Sequence, residues 1–154
     1  MPAKPEPSSK SVLIASDHAG VALKSAIQKA LPAWKWIDLG PSDGSRVDYP
    51  DYAEKLCKQI ASGAAPQGIL ICGSGIGMSM AANKLPGIRA ALVENPIAAQ
   101  LSKEHNNANV LCLGARFLAS EYGSEITRAF LETSFSGDER HTKRVQKISA
   151  LERV

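Results

Sequence analysis

The chain has 154 residues, 44% of them hydrophobic and 21% charged, enough for one domain with a full core. Lys+Arg 18 against Asp+Glu 15 leaves a formal charge of +3, and aromatic residues make up only 5%, which argues against a nucleic-acid surface built on phosphate neutralisation and base stacking. Cys57, Cys72 and Cys112 are scattered and lack CxxC spacing, and no apolar run nears the roughly 18 residues of a membrane span. These features predict a cytoplasmic protein with reduced thiols, no metal site and no membrane contact.

Met1 to Lys10, with three prolines, a serine pair and no apolar core, reads as a disordered lead-in rather than a secretory signal. A single domain is expected over 11–154. Ser11 to Ser16 reads as a buried strand, and Asp17-His18-Ala19-Gly20 as a turn. A helix over Val21 to Leu31 stops at Pro32. Trp34 to Leu39 is the next strand, and Pro41 to Pro50 a polar loop. Asp51 to Ser62 is helical. Gln67 to Ile71 is the third strand, Ile76 to Lys84 its helix, and Ile88 to Val93 a fourth strand. A helix starts near Pro96 and runs to about Glu104. Asn109 to Leu113 is the fifth strand. Helices over Glu121 to Thr133 and His141 to Leu151 finish the chain. This alternation predicts an α/β fold with a five-stranded parallel sheet between helical layers.

In such a sheet the carboxyl ends of the strands share one rim. Asp17 and His18 follow the first strand, Cys72 and a glycine turn the third, and Arg116 the fifth. The central stretch is Gly68 to Asn83: an apolar strand ending at Cys72, then Gly73-Ser74-Gly75-Ile76-Gly77, then a helix. Read alone, Cys72 is a small residue finishing a strand. Beside a helix N-terminus, its thiolate is favoured and can act as a base. Ser74 and the amides of Gly73 to Gly77 form either an oxyanion site or a plain tight turn. The turn lacks the Lys-Ser/Thr of a P-loop. It reads G-x-G-x-G rather than G-x-G-x-x-G, so a dinucleotide site has little beyond Glu94 to support it.

His105 follows a helix C-terminus, which favours an imidazolium there. Arg140 and Arg144 are four apart, hence on one helix face, beside His141. They are a solvated basic face or a pair of guanidiniums for a phosphate.

Together, Ser16-Asp17-His18-Ala19-Gly20, Asp48-Tyr49-Pro50, Ile71-Cys72-Gly73-Ser74-Gly75-Ile76-Gly77, Ala81-Ala82-Asn83-Lys84, His105-Asn106 and Asn109-Val110-Leu111 resemble the type B ribose-5-phosphate isomerases. That family also contains isomerases of allose 6-phosphate and galactose 6-phosphate, and the resemblance covers about Val12 to Leu151. It implies a Rossmann-like three-layer fold and a homodimer, sometimes a tetramer, with sites shared between subunits. It also implies cofactor-free aldose–ketose isomerisation of ribose 5-phosphate through an enediol(ate), in the pentose phosphate pathway. Carried over, Cys72 is the base, Ser74 and the amides of Gly73, Gly75, Ile76 and Gly77 stabilise the enediolate, and His105 opens the furanose ring. Asp17, His18 and Tyr49 contact the sugar. Asn106, Arg116, Arg140 and Arg144, with His141 beside them, contact the substrate and its phosphate. Members without the cysteine use a glutamate just after the glycine turn. Met78 stands there, which leaves Cys72 as the only base candidate in the loop. Isomerisation of a six-carbon sugar phosphate, or sugar-phosphate sensing without catalysis, remain as alternatives.

Overall fold

The computed structural model describes residues 10–152, so the lead-in expected over the first residues lies, but for Lys10, outside the described part. Three apolar runs form the middle of the sheet: β1 (Ser11–Ser16), β3 (Gln67–Cys72) and β5 (Val110–Gly114), each buried along its whole length. The edges are the shorter and more polar β2 (Lys35–Asp38) and the three-residue β4 (Ala90–Leu92). All pairings are parallel, in the order β2-β1-β3-β5-β4. Strands buried on both faces need apolar side chains without alternation, and the central three have them.

The pleat sorts those side chains into two cores. Val12, Ile14, Ile69, Ile71, Leu111 and Leu113 face α1 (Val21–Ala30), α4 (Pro96–Glu104) and α5 (Ser120–Glu132). Leu13, Ala15, Leu70, Cys72, Val110 and Cys112 face α2 (Tyr49–Ala61) and α3 (Ile76–Ala82). The result is the three-layer, Rossmann-like α/β architecture expected. A final helix, α6 (Glu139–Ser149), buries only His141.

Most boundaries shift by one or two residues from the sequence-based expectation, α6 for instance running Glu139–Ser149 instead of His141 to Leu151, and two of the differences bear on the site and the sheet. α2 begins at Tyr49 rather than Asp51, because Pro50 occupies the first turn, where a missing N–H costs nothing. Tyr49 therefore sits on a helix and not at the end of a loop. The fourth strand spans three residues instead of Ile88 to Val93. Its free side is met by a side chain: Asn83 Nδ2 donates to Ala90 O at 3.0 Å and Ala90 N–H donates to Asn83 Oδ1 at 2.9 Å. Asn109 does the same for the approach to β4, accepting from Arg89 N–H and donating to Gly87 O, both at 2.8 Å. These two asparagines cap polar backbone at a sheet edge.

The strand order changes direction between β1 and β3: β2 lies to one side of β1, and β3, β5 and β4 to the other. Such a switch point opens a crevice at the carboxyl ends of the two strands. Asp17 N–H donates to Ile71 O at 3.0 Å, so the turn after β1 is in contact with the end of β3 there.

Phe130, fully buried on α5 against the first core, tests this packing. Phe130→Ala is expected to cost about 3–5 kcal/mol of unfolding free energy, measured by urea denaturation at fixed protein concentration.

Candidate functional site

The glycine turn is shaped by close approaches of its own backbone. Gly75 has φ 77° and serves as the N-cap of α3. A Cβ there would lie 2.6 Å from Leu92 Cδ1 and 2.9 Å from the Leu113 carbonyl carbon, so a side chain is excluded by space as well as by conformation. The turn also needs Gly114 on β5, where a Cβ would meet Ser74 O at 2.5 Å. Ala115 and Arg116 donate their N–H groups to Cys72 O and Gly73 O, both at 2.9 Å, tying the ends of β3 and β5 together.

Within that frame Cys72 is 4% exposed, and its Sγ accepts the Gly75 N–H at 3.1 Å. Ser74 Oγ accepts the Ile76 N–H at 3.2 Å. The sequence offers every amide from Gly73 to Gly77 to an oxyanion. The structure engages Gly75 and Ile76 locally and leaves Gly73, Ser74 and Gly77 without an acceptor among the described residues. The Arg116 guanidinium lies across Gly73, with Cζ 3.1 Å from where a Cβ would stand, and the Tyr49 ring lies across Gly77. Asp17 Oδ1 accepts the Ala19 N–H at 2.9 Å, and His18 Nδ1 accepts the Val47 N–H at 3.4 Å. Cys72, Ser74, Asp17, His18, Tyr49 and Arg116 thus form one group on the carboxyl rim. Met78 is wholly buried beneath it. An open recess of about 490 Å3 beside this group, bounded by Arg46, Asp48, Asp51 and Lys55, is bordered by neither Cys72 nor Ser74.

The remaining candidates gather elsewhere. His105 is the C-cap of α4, and its ring stacks on His141 with centroids 4.2 Å apart and planes 34° apart. Ser136 N–H donates to Glu104 O at 3.1 Å, which docks the start of the α6 segment onto the end of α4. Ser136 Oγ accepts the Asp138 N–H at 3.2 Å and lies 2.9 Å from His141 Nδ1. Ser136 and His141 Nδ1 share one hydrogen bond, whose donor follows the histidine's tautomer. Arg140 and Arg144 project from α6 close by, and Asn106 borders a recess with Arg89 and Ile148.

Topology separates the two groups. α4 returns antiparallel to the strands, so its C-terminus and His105 lie at the amino rim, just before β5 begins. Cys72 is level with Gly114, the last residue of β5. The four steps from Val110 to Gly114 alone span about 13 Å at the rise of a parallel strand. Groups that exchange protons with one substrate must stand within hydrogen-bond reach of it. One copy of this chain therefore carries the candidates in two groups, at opposite rims of the sheet.

The other cysteines have the bland environment expected of them. Burial pushes the Cys57 thiol up to about 12, and burial with the neighbouring Cys57 and Cys72 raises Cys112 well above its ordinary value. Among the described residues no group of three or more His, Cys, Asp or Glu is arranged for a metal ion, and no helix is long and apolar enough to cross a membrane.

A family model described as Ribose/Galactose Isomerase matches residues 12–148. A probable ribose-5-phosphate isomerase B of Mycoplasma pneumoniae is 48% identical over 145 residues, covering 92% of this chain and 95% of that protein. The type B ribose 5-phosphate isomerase structure of Trypanosoma brucei superposes with a TM-score of 0.89 at 45% identity, over 92% of this chain and 98% of the other. A ribose-5-phosphate isomerase B of Mycoplasma genitalium, solved with bound ribulose-5-phosphate, superposes with a TM-score of 0.85 at 41% identity, over 91% of this chain and 94% of the other.

The stacked histidines give the amino-rim group a titration signature. Burial, then His105 and Arg140, hold His141 below its ordinary value against the opposing pull of Asp138. Neutral His141 is thus favoured in the folded state, a contribution present above pH 6.5 and lost as the pH falls below it. In a 1H NMR titration His141 is expected to protonate below pH 6.5, and His105→Asn to move that midpoint upward. An unmoved midpoint would remove the electrostatic coupling between the rings.

Proposed function

The chain belongs to the ribose/galactose isomerase family, and from that premise we propose that it interconverts ribose 5-phosphate and ribulose 5-phosphate, at sites each completed by a second copy of the chain. The observation that carries the reading is the Cys72 thiol, held by the Gly75 N–H beside three free amides, in a loop where Met78 offers no competing base. The ribulose 5-phosphate held by the Mycoplasma genitalium relative supports a five-carbon substrate.

In this reading the Cys72 thiolate takes the proton from C2 of the open-chain aldose. The electron pair moves into the C1–C2 bond, and the charge goes to O1. The free amides of Gly73, Ser74 and Gly77, with the Ser74 hydroxyl, receive that charge. One lost donor of this kind typically costs about 10²–10³ in rate. The thiol then returns the proton to C1, while the proton of the C2 hydroxyl passes to O1. Because the C2 hydroxyl oxygen becomes the ketone, no redox partner or metal is required for balance. His105 of the second copy protonates the ring oxygen to open the furanose. Arg116 from one copy and Arg140 and Arg144 from the other hold the phosphate. It does not react; its binding energy orients C1 and C2 beside the thiol. Asp17, His18, Tyr49 and Asn106 meet the sugar hydroxyls, with His141 beside them.

The surface supports the pairing of copies. Ile76 and Met80 on α3, Ile97 and Leu101 on α4, and Ile148 on α6 are all more than 40% exposed. Such apolar residues would be covered if they fell in an interface between copies, and a two-fold dimer buries the same surface on both partners. A tetramer would pair two such dimers. The three unpaired cysteines suit a reducing, cytoplasmic setting for pentose phosphate chemistry.

Cys72→Ala is expected to lower kcat at least about 10³-fold while leaving the thermal midpoint within a few degrees. Loss of exchange of the C2 proton with deuterated solvent would locate the defect in proton transfer. Near-normal turnover in that variant would refute Cys72 as the base.

A further inference from the structure

Lys24 is a charged side chain placed where the sequence pattern calls for an apolar one. It lies on the buried side of α1 with Leu23 and Ile27 and is 3% exposed. Its ammonium donates to Asp38 Oδ1 at 2.7 Å and to Pro41 O at 2.6 Å. Asp38 is enclosed in turn: Oδ1 also accepts the Gly40 N–H at 2.8 Å, and Oδ2 accepts Gln28 Nε2 at 3.0 Å. Burial alone would raise the Asp38 carboxyl, but the bonds from Lys24, Gln28 and Gly40 hold it below its ordinary value. The turn leaving β2 is therefore closed around one ammonium.

The segment after that turn has little else to hold it. From Ser42 to Asp48 the chain is mostly exposed, tied by a local Asp43–Ser45 turn at 2.9 Å and by the Val47 N–H on His18 Nδ1. At its far end Tyr49 enters α2 and lays its ring across Gly77. Lys24 thus fixes the start of a segment whose other contacts are with His18 and the glycine turn. A buried ammonium is costly to desolvate, and apolar residues in place of a whole buried ion pair are often as stable. Fold stability alone is therefore a poor account of a lysine at this position.

We propose that Lys24 is a positioning residue for the substrate site: by clamping Asp38 and Pro41 it sets the path of residues 42–48, so that Val47 caps His18 Nδ1 and His18 presents Nε2–H to the sugar. The inference rests on the isomerase reading for the identity of the substrate. The clamp itself is independent of it. With Nδ1 accepting from Val47, neutral His18 is held in one tautomer, and its free nitrogen is a donor. Released from the clamp, the loop would lose that bond, and His18 would sample both tautomers.

The test is Lys24→Met, which keeps length and apolar stem and removes the ammonium. Its thermal midpoint is expected to fall by several degrees, since Asp38 and Pro41 O lose their donor, with the protein still folded at assay temperature. KM for ribose 5-phosphate should rise about tenfold, the loss of roughly one hydrogen bond to substrate, with kcat within about threefold. The 15N spectrum of His18 should change from one neutral tautomer to a mixture. A folded Lys24→Met with unchanged KM, or with His18 still in a single tautomer, would overturn the proposal. If that variant does not fold, Asp38→Asn weakens the same clamp at a half-exposed position and carries the same two readouts. A parent protein inactive on ribose 5-phosphate would sink the isomerase reading instead, and the His18 spectrum would still decide the clamp.

Discussion

The parallel direction of the five strands is the constraint on which the rest of the molecule depends. Every strand ends on one rim, and every connecting helix must run back to the other. Cys72, at the end of β3, and His105, at the end of α4, are consequently held apart by the depth of the sheet. If Cys72 is the base at C2 and His105 the acid at the ring oxygen, as proposed, one copy cannot bring both to one substrate. In the proposed account the same geometry that divides the groups within a chain lets two chains restore them. In that account the thiol rim of one copy would face the histidine rim of the other, with α6, poorly covered in its own chain, joining the partner's site.

On the thiol rim, small residues do what side chains elsewhere prevent. Gly75 turns the chain through a left-handed conformation with Leu92 and Leu113 pressed against it, and Gly114 lets Ser74 O pass within contact. These approaches set the amides in place before any ligand arrives. Donors fixed in advance pay no reorganisation when charge develops on a substrate oxygen, which is why preorganised backbone is effective against an oxyanion. Two of the five amides are used to hold Cys72 and Ser74 themselves. In the proposed account the turn is divided between orienting its own nucleophilic atoms and facing the substrate.

Much of this was legible in the sequence. The apolar runs of β1, β3 and β5 announced buried parallel strands, and the residues after them announced the rim. His105 reads in the sequence only as a residue just past a helix C-terminus; its place on the opposite rim comes from the topology, since a crossover helix must end where the next strand begins. Other features lay beyond pattern reading. Pro50 looks like a loop residue until its position in the first turn of α2 is known, and with it Tyr49 shifts onto the helix. Asn83 and Asn109 sit in motifs that suggest function, yet their amides complete the edge of β4. Lys24 falls in an apolar stripe, where a lysine alone says nothing. Only the convergence of Asp38 and Pro41 on its ammonium, set by long-range folding, shows what it does.

The central claim, that each site joins the thiol of one copy to the histidine of another, is tested most directly by subunit complementation. Cys72→Ala and His105→Asn homodimers are each inactive in this account. Mixed and allowed to exchange subunits, half of the dimers are hybrids, and each hybrid has one site with both residues intact. Two-fold symmetric pairing therefore predicts recovery of roughly a quarter of the parent activity in the mixture. If subunit exchange is demonstrated and activity stays at the level of the separate variants, the two residues serve the same chain and the shared-site account is wrong.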